Sequence, residues 1–389
     1  MKRKLMFSGL LLLFYFSSCS QKSAPENVQQ TISALETGFK MKSIQHVTPV
    51  LSKSFSFNDF SPLLSKQVLA GIVNGFPLKE IKGIEVIENQ NDTLQVTCKL
   101  VIDKFMGLLS QSIDLTLVNQ NGQLVIQKLI IPDAEMEVNM EDDDRPDAKQ
   151  QNIQLDDYHH LGYNEVPTFY EEGLEKIAAE VNEKQVAGIE IAEQIMGEEL
   201  IFKLGLLLTK DSLKNAKIDQ PVLPVTLNLP DYEADEKTGF FLNWAYFHEL
   251  VELQLSLGKG IMDQNTRWFR DGMAEYVAHR VAYELNPLAD SLMMKRRMNS
   301  YEEIDRKANL LEWIGTGNTD EKMEGIVGGP GQYTGALLFF IDLTEQYGEA
   351  IIPALLAKLT EQKDIDNEII IKELSSLTGS DVTEKIEKY

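Results

Sequence analysis

Three side chains of types that bind metal ions are spaced along this chain as they would be in one site. His248 and Glu252 are four residues apart, so on a helix they lie on one face, with Glu249 beside them. Eighteen residues (253–270) then separate Glu252 from Asp271, so the third ligand must come from another helix. The pattern predicts two helices that direct one imidazole and two carboxylates at a single point.

Short motifs around these residues resemble those of the peptidase-MA-like, or gluzincin, metallopeptidases. The stretch HELVE, residues 248–252, is similar to their H-E-x-x-H motif, and the gap of eighteen residues is the one they use. The stretch WFRDGMAEYV is similar to their W-x-x-E-G-x-A motif, with Trp268, Gly272 and Ala274 in register. The resemblance covers residues 158–389 and implies a peptidase fold in this part of the chain.

The resemblance also implies roles for individual residues. His248, Glu252 and Asp271 fall on the metal-ligand positions, and Glu249 falls on the position of the general base. In the family the ion is zinc. The sequence departs from the family at two ligands, because Glu252 replaces a His and Asp271 replaces a Glu.

Two further residues take family roles through the same resemblance. The stretch QYTGALLFFIDLTEQYG is similar to a segment in which a Tyr donates a hydrogen bond to the developing oxyanion, so Tyr333 is the catalytic candidate. Glu275 falls where related enzymes place an acid that holds the free ring N–H of a ligand His. The motif with which aminopeptidases bind the substrate amine is not apparent.

The two departures from the family pattern change the chemistry of the site. One His and two carboxylates make a site with Zn²⁺ neutral, whereas two His and one Glu leave it at about +1, so the water is less polarised. Oxygen ligands also shift the preference from zinc towards other, harder divalent cations. Two functions follow: a metal-dependent peptidase acting on a peptide or protein, or an inactive pseudopeptidase that binds or scaffolds a partner. An ordinary amphipathic helix with surface acids is the third interpretation of HELVE.

The region before this domain, residues 26–132, is predicted to be a helix followed by an antiparallel sheet. Val28, Ile32, Leu35 and Phe39 recur at spacings of three and four, as on one face of a helix. Alternating segments follow, and NQNGQ between two of them indicates a hairpin turn. This order resembles the nuclear-transport-factor-2-like fold, a curved sheet cupping a helix.

An acidic stretch, residues 133–157, is predicted to be a solvated linker between the two domains. It is poor in large apolar residues and contains a Pro. The second domain, residues 158–389, shows mostly helical periodicity with a few strands, including 197–209 and 220–230. The fold class predicted for the whole chain is therefore α+β, with the helix-plus-sheet domain first and the mostly helical gluzincin-like domain second.

The start of the chain predicts export and a lipid anchor. Residues 1–18 have a basic start and an apolar run of about a dozen residues, too short to span a bilayer. They resemble the signal peptide of a bacterial lipoprotein of the Bacteroidetes type, with Cys19 as the lipid-bearing residue and 19–25 as a tether. A plain signal peptide is the alternative. The acidic run that often marks export to the cell surface does not follow Cys19. We therefore expect the chain to be anchored on the periplasmic face of the outer membrane.

Composition excludes one class of partner. The chain has 37 Lys and Arg against 60 Asp and Glu, a formal net charge of −23. Nucleic-acid binding needs a basic face, so we expect no nucleic-acid partner. Cys98 is the only other cysteine, and it has no thiol to pair with once Cys19 carries lipid.

Replacement of Cys19 by Ser tests the lipid anchor. The variant is expected to leave the membrane fraction and appear in the soluble envelope fraction, because the acyl chains have no attachment point. Fractionation followed by immunoblotting measures this, with Cys98→Ser as the control. Equal membrane association of the Cys19→Ser variant and the wild type would contradict a lipid anchor at this residue.

Overall fold

The structure, a computed structural model, describes most of the chain from residue 24 onward. The described residues are 24–58, 60–75, 78–90, 93–104, 107–131, 151–162, 166–210, 216–218, 222–227, 236–302, 309–313 and 330–389. The predicted signal peptide, Cys19 and most of the predicted linker lie outside them. Among the described residues, no helix has both the length and the apolar character needed to cross a membrane.

The first region combines helices with a five-stranded sheet. Its helices are α1 (Glu26–Met41) and α2 (Pro62–Gly75), and its strands are β1 (Leu51–Phe57), β2 (Leu78–Gln90), β3 (Thr93–Lys104), β4 (Gly107–Gln120) and β5 (Gln123–Ile130). The sheet order is β1-β5-β4-β3-β2. All neighbours are antiparallel except β1 and β5, which run parallel. The prediction of an antiparallel sheet is therefore wrong for this one pair.

Local sequence explains these elements. The apolar face predicted for α1 is confirmed, since Val28, Ile32, Leu35 and Phe39 are all buried. The hairpin turn between β4 and β5 is also confirmed, at Asn121 (φ 54°) and Gly122 (φ 87°). Asn and Gly adopt two successive positive φ angles more readily than other residues, which is what the tight turn requires.

The second region is mostly helical. Its helices are α3 (Glu175–Met196), α4 (Glu236–Leu253), α5 (Arg267–Leu285), α6 (Pro287–Glu302), α7 (Pro330–Tyr347), α8 (Ile351–Thr360), α9 (Asn367–Thr378) and α10 (Thr383–Glu387). Its strands are β6 (Gln151–Ile153), β7 (His159–Leu161), β8 (Thr168–Tyr170), β9 (Gly205–Thr209), β10 (Ala216–Ile218) and β11 (Val222–Thr226). Four form a sheet of order β11-β9-β8-β7, and β6 pairs with β10. The predicted α+β class is confirmed.

Helix α5 is the centre of the second region. Its buried residues include Trp268, Phe269, Met273, Ala274, Tyr276, Val277, Ala278, Val281 and Ala282. It packs against both α4 and α7. At Gly272 a methyl group would lie 2.9 Å from Ala336 and from Phe340 of α7, so only glycine permits this approach. A helix buried on most of its surface holds its polar side chains in fixed directions.

Two segments differ from their predicted structure because their apolar residues fill a core. Gln151–Ile153 forms a strand, and Ile153 and Leu155 are buried against Phe169, so this end of the predicted linker belongs to a core. In the predicted strand 197–209, only Gly205–Thr209 is a strand. Residues 201 and 202 lie in a loop and are buried in the core of the first region.

A buried lysine joins the two regions directly beyond α4. The helix continues as a π-helical turn, Gln254–Gly258, and Lys259 follows with a fully buried side chain. Its ammonium donates to Glu198 (2.6 Å), to Gln45 of the first region (3.2 Å) and to Thr360 of α8 (2.9 Å). The end of α4 is thus fixed by side chains from both regions.

Lys259→Met is expected to destabilise the protein by about 3 kcal/mol. Methionine fills a similar volume, but it removes the charge that pairs with Glu198 and the donor to Gln45, to Thr360 and to the carbonyl oxygen of Leu356. Urea unfolding followed by circular dichroism measures the loss, with exposed Lys363→Met as the control. A free energy of unfolding within 0.5 kcal/mol of the control, a threshold of about the size of surface effects, would show that the lysine does not join the two regions.

Candidate functional site

Helices α4 and α5 bring three of the predicted residues together. His248 and Glu252 lie one turn apart on α4, and Asp271 faces them from α5. Nε2 of His248 is 3.8 Å from Oε2 of Glu252 and 3.7 Å from Oδ1 of Asp271. One ligand atom from each residue lies within 4.8 Å of the other two. His248 and Asp271 are buried and Glu252 is half-buried, so the group opens to solvent on the Glu252 side.

Glu275 lies behind His248, one turn beyond Asp271. Its Oε1 is 3.2 Å from Nδ1 of His248, at an angle outside hydrogen-bond geometry. Its Oε2 accepts a hydrogen bond from Nε1 of Trp244 (3.0 Å) and pairs with Arg297 of α6. Trp244 and Arg297 therefore hold the carboxylate through Oε2, and Oε1 faces the imidazole from the side opposite Glu252 and Asp271.

Charge is concentrated at this point, and the pKa values respond to it. Burial disfavours the charged form of His248, but its contacts with Asp271 and Glu275 prevail and raise its pKa to about 10. Burial raises the pKa of Glu252, and the charge of Asp271 raises it further. Burial also acts to raise the pKa of Glu275, but contacts with His248 and Arg297 lower it overall. Without a metal ion, a protonated imidazole serves as the cation among these carboxylates.

Tyr333 of α7 lies at the same site. Its ring centroid is 5.9 Å from that of His248, and its side chain is half-buried. Burial, and next the charge of Asp271, raise its pKa, so the phenol stays protonated at neutral pH. A protonated phenol can donate a hydrogen bond to an oxygen that gains negative charge.

Arg267 is a site residue that the sequence analysis missed. Its Nε lies 3.2 Å from Oδ2 of Asp271, and its Nη2 donates to the hydroxyl of Tyr333 at 2.9 Å. Its guanidinium also lies 4.9 Å from the ring centroid of Trp313. Helix α5 begins at Arg267, one turn before Asp271. The i, i+4 spacing of Arg267 and Asp271 was the available signal.

Glu249 differs from the other predicted residues in its exposure. It lies on α4 next to His248, and its side chain is exposed to solvent. Its charge acts on Glu252, whose pKa it helps to raise. A carboxylate at the open side of the group is placed to exchange protons with solvent or substrate.

The three donor atoms fit a divalent cation. In a tetrahedral site with bonds of about 2.1 Å, neighbouring ligand atoms are roughly 3.4 Å apart. The distances from His248 Nε2 to the two carboxylate oxygens exceed this by a few tenths of an ångström, a change that side-chain rotation supplies. One nitrogen and two carboxylates suit zinc and also harder ions such as Mn²⁺.

Comparison with known proteins gives structural similarities only. No protein-family model matches the sequence, and no curated protein is significantly similar to it. Yeast LTA4 hydrolase in complex with bestatin is 14% identical over 59% of this chain and 37% of its own, with a TM-score of 0.41. A designed protein, "Rd1NTF2_05 with long sheet", is 14% identical over 27% of this chain and 95% of its own, with a TM-score of 0.22. A cystatin-like protein of unknown function from Nostoc punctiforme is 9% identical over 27% of this chain and 86% of its own, with a TM-score of 0.24.

Glu275→Gln is expected to destabilise the protein by about 3 kcal/mol. The amide cannot neutralise Arg297, whose side chain is only 19% exposed, and it removes the charge that faces His248. Chemical denaturation at neutral pH gives the free energy of unfolding. Glu284→Gln, an exposed position on the same helix, is the control. Equal stability of the two variants would mean that Glu275 is not part of a coupled charge network.

Proposed function

We propose that residues 158–389 form a peptidase-like domain that binds a divalent cation and hydrolyses peptide bonds. The observation that supports this most is the convergence of His248, Glu252 and Asp271 from two helices. These three residues hold the ion, zinc by resemblance, with other divalent cations admitted by the two carboxylates. When bound, the ion would polarise a water molecule and the scissile carbonyl.

The other residues of the site perform the remaining steps. Glu249 takes a proton from the attacking water and passes it to the leaving amine, which its exposed position beside His248 permits. Tyr333 donates a hydrogen bond to the carbonyl oxygen as negative charge develops there. Its hydroxyl oxygen already accepts from Arg267, so its own proton is available for that bond. Glu275 keeps the imidazole of His248 in its ligand orientation.

A pseudopeptidase is the second proposal, and one observation favours it. Arg267 pairs with Asp271, and His248 contacts the same carboxylate, so two cations of the chain already balance it. In that case the domain binds or scaffolds a protein partner through the same pocket and performs no hydrolysis. The peptide or protein is a substrate in the first proposal and a partner in the second.

The location of the protein is proposed from its first residues. A lipid on Cys19 would attach the chain to the outer membrane, with its domains on the periplasmic side. The proposed substrates or partners are therefore proteins and peptides of the envelope.

Glu249→Gln separates the two functions. Turnover is expected to fall by about 10²-fold or more, because the amide cannot accept a proton, while metal affinity stays near that of the wild type. A fluorogenic peptide library measures turnover, and calorimetry measures affinity. Glu252→Gln is expected to weaken metal binding itself, and Glu284→Gln to change neither.

The outcomes are distinct. Metal-loaded wild type that cleaves no peptide would refute the peptidase and leave the pseudopeptidase. Full turnover by the Glu249→Gln variant would refute the role of Glu249 as base. Equal metal affinity of the wild type and the Glu252→Gln variant would place the ion elsewhere.

A further inference from the structure

Asp271 presents its two oxygens to different groups. Oδ1 faces Nε2 of His248 at 3.7 Å, and Oδ2 faces Nε of Arg267 at 3.2 Å. A cation at the convergence point would use Oδ1, so Arg267 need not leave when an ion binds. The side chains of Asp271 and Arg267 are 3% and 11% exposed, so solvent screens their interaction only weakly.

The charges of the site then sum differently from those of the ligands alone. A divalent ion with neutral His248 and the carboxylates of Glu252 and Asp271 has no net charge. The guanidinium of Arg267 adds one positive charge and returns the sum to +1. This is the value of a site with two His and one Glu ligand, the composition from which Glu252 departs.

Two pairs of opposite charges among the described residues leave this sum unchanged. Glu275 and Arg297 form a pair whose charges cancel. Glu249 and Arg270 act on the pKa of Glu252 in opposite senses. These two pairs therefore do not offset the positive charge that Arg267 adds beside Asp271.

We propose that Arg267 compensates the charge of Glu252 and sets both the metal affinity and the electrophilicity of this site. The proposal rests on the proposed metal-binding function. Arg267 acts through Asp271, so it is a positioning and charge-setting residue, and it also orients the hydroxyl of Tyr333. Trp313 and Tyr333 hold its guanidinium in place by ring contact and hydrogen bond.

Removal of the Arg267 charge is expected to change the metal affinity in the direction opposite to that of structural damage. A positive charge next to a bound cation repels it, so removing the charge strengthens binding. Loss of a residue that merely supports the fold would weaken binding. Arg267→Met is therefore expected to bind Zn²⁺ and Mn²⁺ about tenfold more tightly than the wild type. Peptide cleavage per bound ion, where the wild type cleaves, is expected to fall.

Isothermal titration calorimetry of the full chain with Cys19→Ser, using each ion alone, tests this. Arg267→Lys keeps the charge and is expected to restore wild-type affinity, although its ammonium lacks the planar fork that reaches Tyr333. Arg280→Met removes a positive charge from the same helix about 20 Å away and is expected to change nothing. Arg267→Gln, which retains an N–H donor, serves as the uncharged variant if Met unfolds the protein.

The results separate this inference from the proposed function. Affinity that is unchanged or weaker in both uncharged variants, with binding weakened in Glu252→Gln, would overturn the role of Arg267 and leave the metal site. Binding by the uncharged variants and not by the wild type would support the role and refute a metal-dependent wild type. Absence of binding in every variant would refute both.

Discussion

The close packing of α4 and α5 is the constraint on which the rest of the site depends. The two helices come from segments separated by the turn at residues 254–266, and α5 is held on its other side by α7 at Gly272. This packing directs His248 from one helix and Asp271 and Glu275 from the other into one small volume. Burial of these charged groups is unfavourable unless each has a partner, and each one does.

The partners form a continuous network of charges. Arg297 and Trp244 hold Glu275, Glu275 holds His248, and Arg267 holds Asp271. His248 is the member shared by both carboxylates of α5. In the metal-free protein the raised pKa of His248 keeps its imidazole protonated, and the imidazolium is the cation between these carboxylates. A divalent ion would replace that positive charge, with the neutral imidazole as one of its ligands. Apo and metal-bound forms then differ in the identity of the central cation, with the helices as common framework.

Periodicity and spacing predicted much of this structure. The apolar positions of α1, the Asn-Gly turn and the two site helices follow from local rules that one sequence displays. The sequence did not reveal that residues 201 and 202 serve the core of the first region, because an apolar run looks the same in a strand and in a buried loop. The role of Arg267 was not predicted because its partners Tyr333 and Trp313 come from distant parts of the chain. The contact of Arg297 with Glu275 was not predicted for the same reason, since only the fold brings α6 beside Glu275.

The proposed function requires that His248, Glu252 and Asp271 hold one divalent cation between them. Anomalous diffraction from crystals of the Cys19→Ser chain, grown with Mn²⁺ or Zn²⁺, tests this requirement. We expect one strong peak within about 2.5 Å of Nε2 of His248 and of a carboxylate oxygen from each acid, with Arg267 still paired to Asp271. Crystals that show no peak there at millimolar metal, with His248 still in contact with both carboxylates of α5, would show that these three residues do not hold a metal ion.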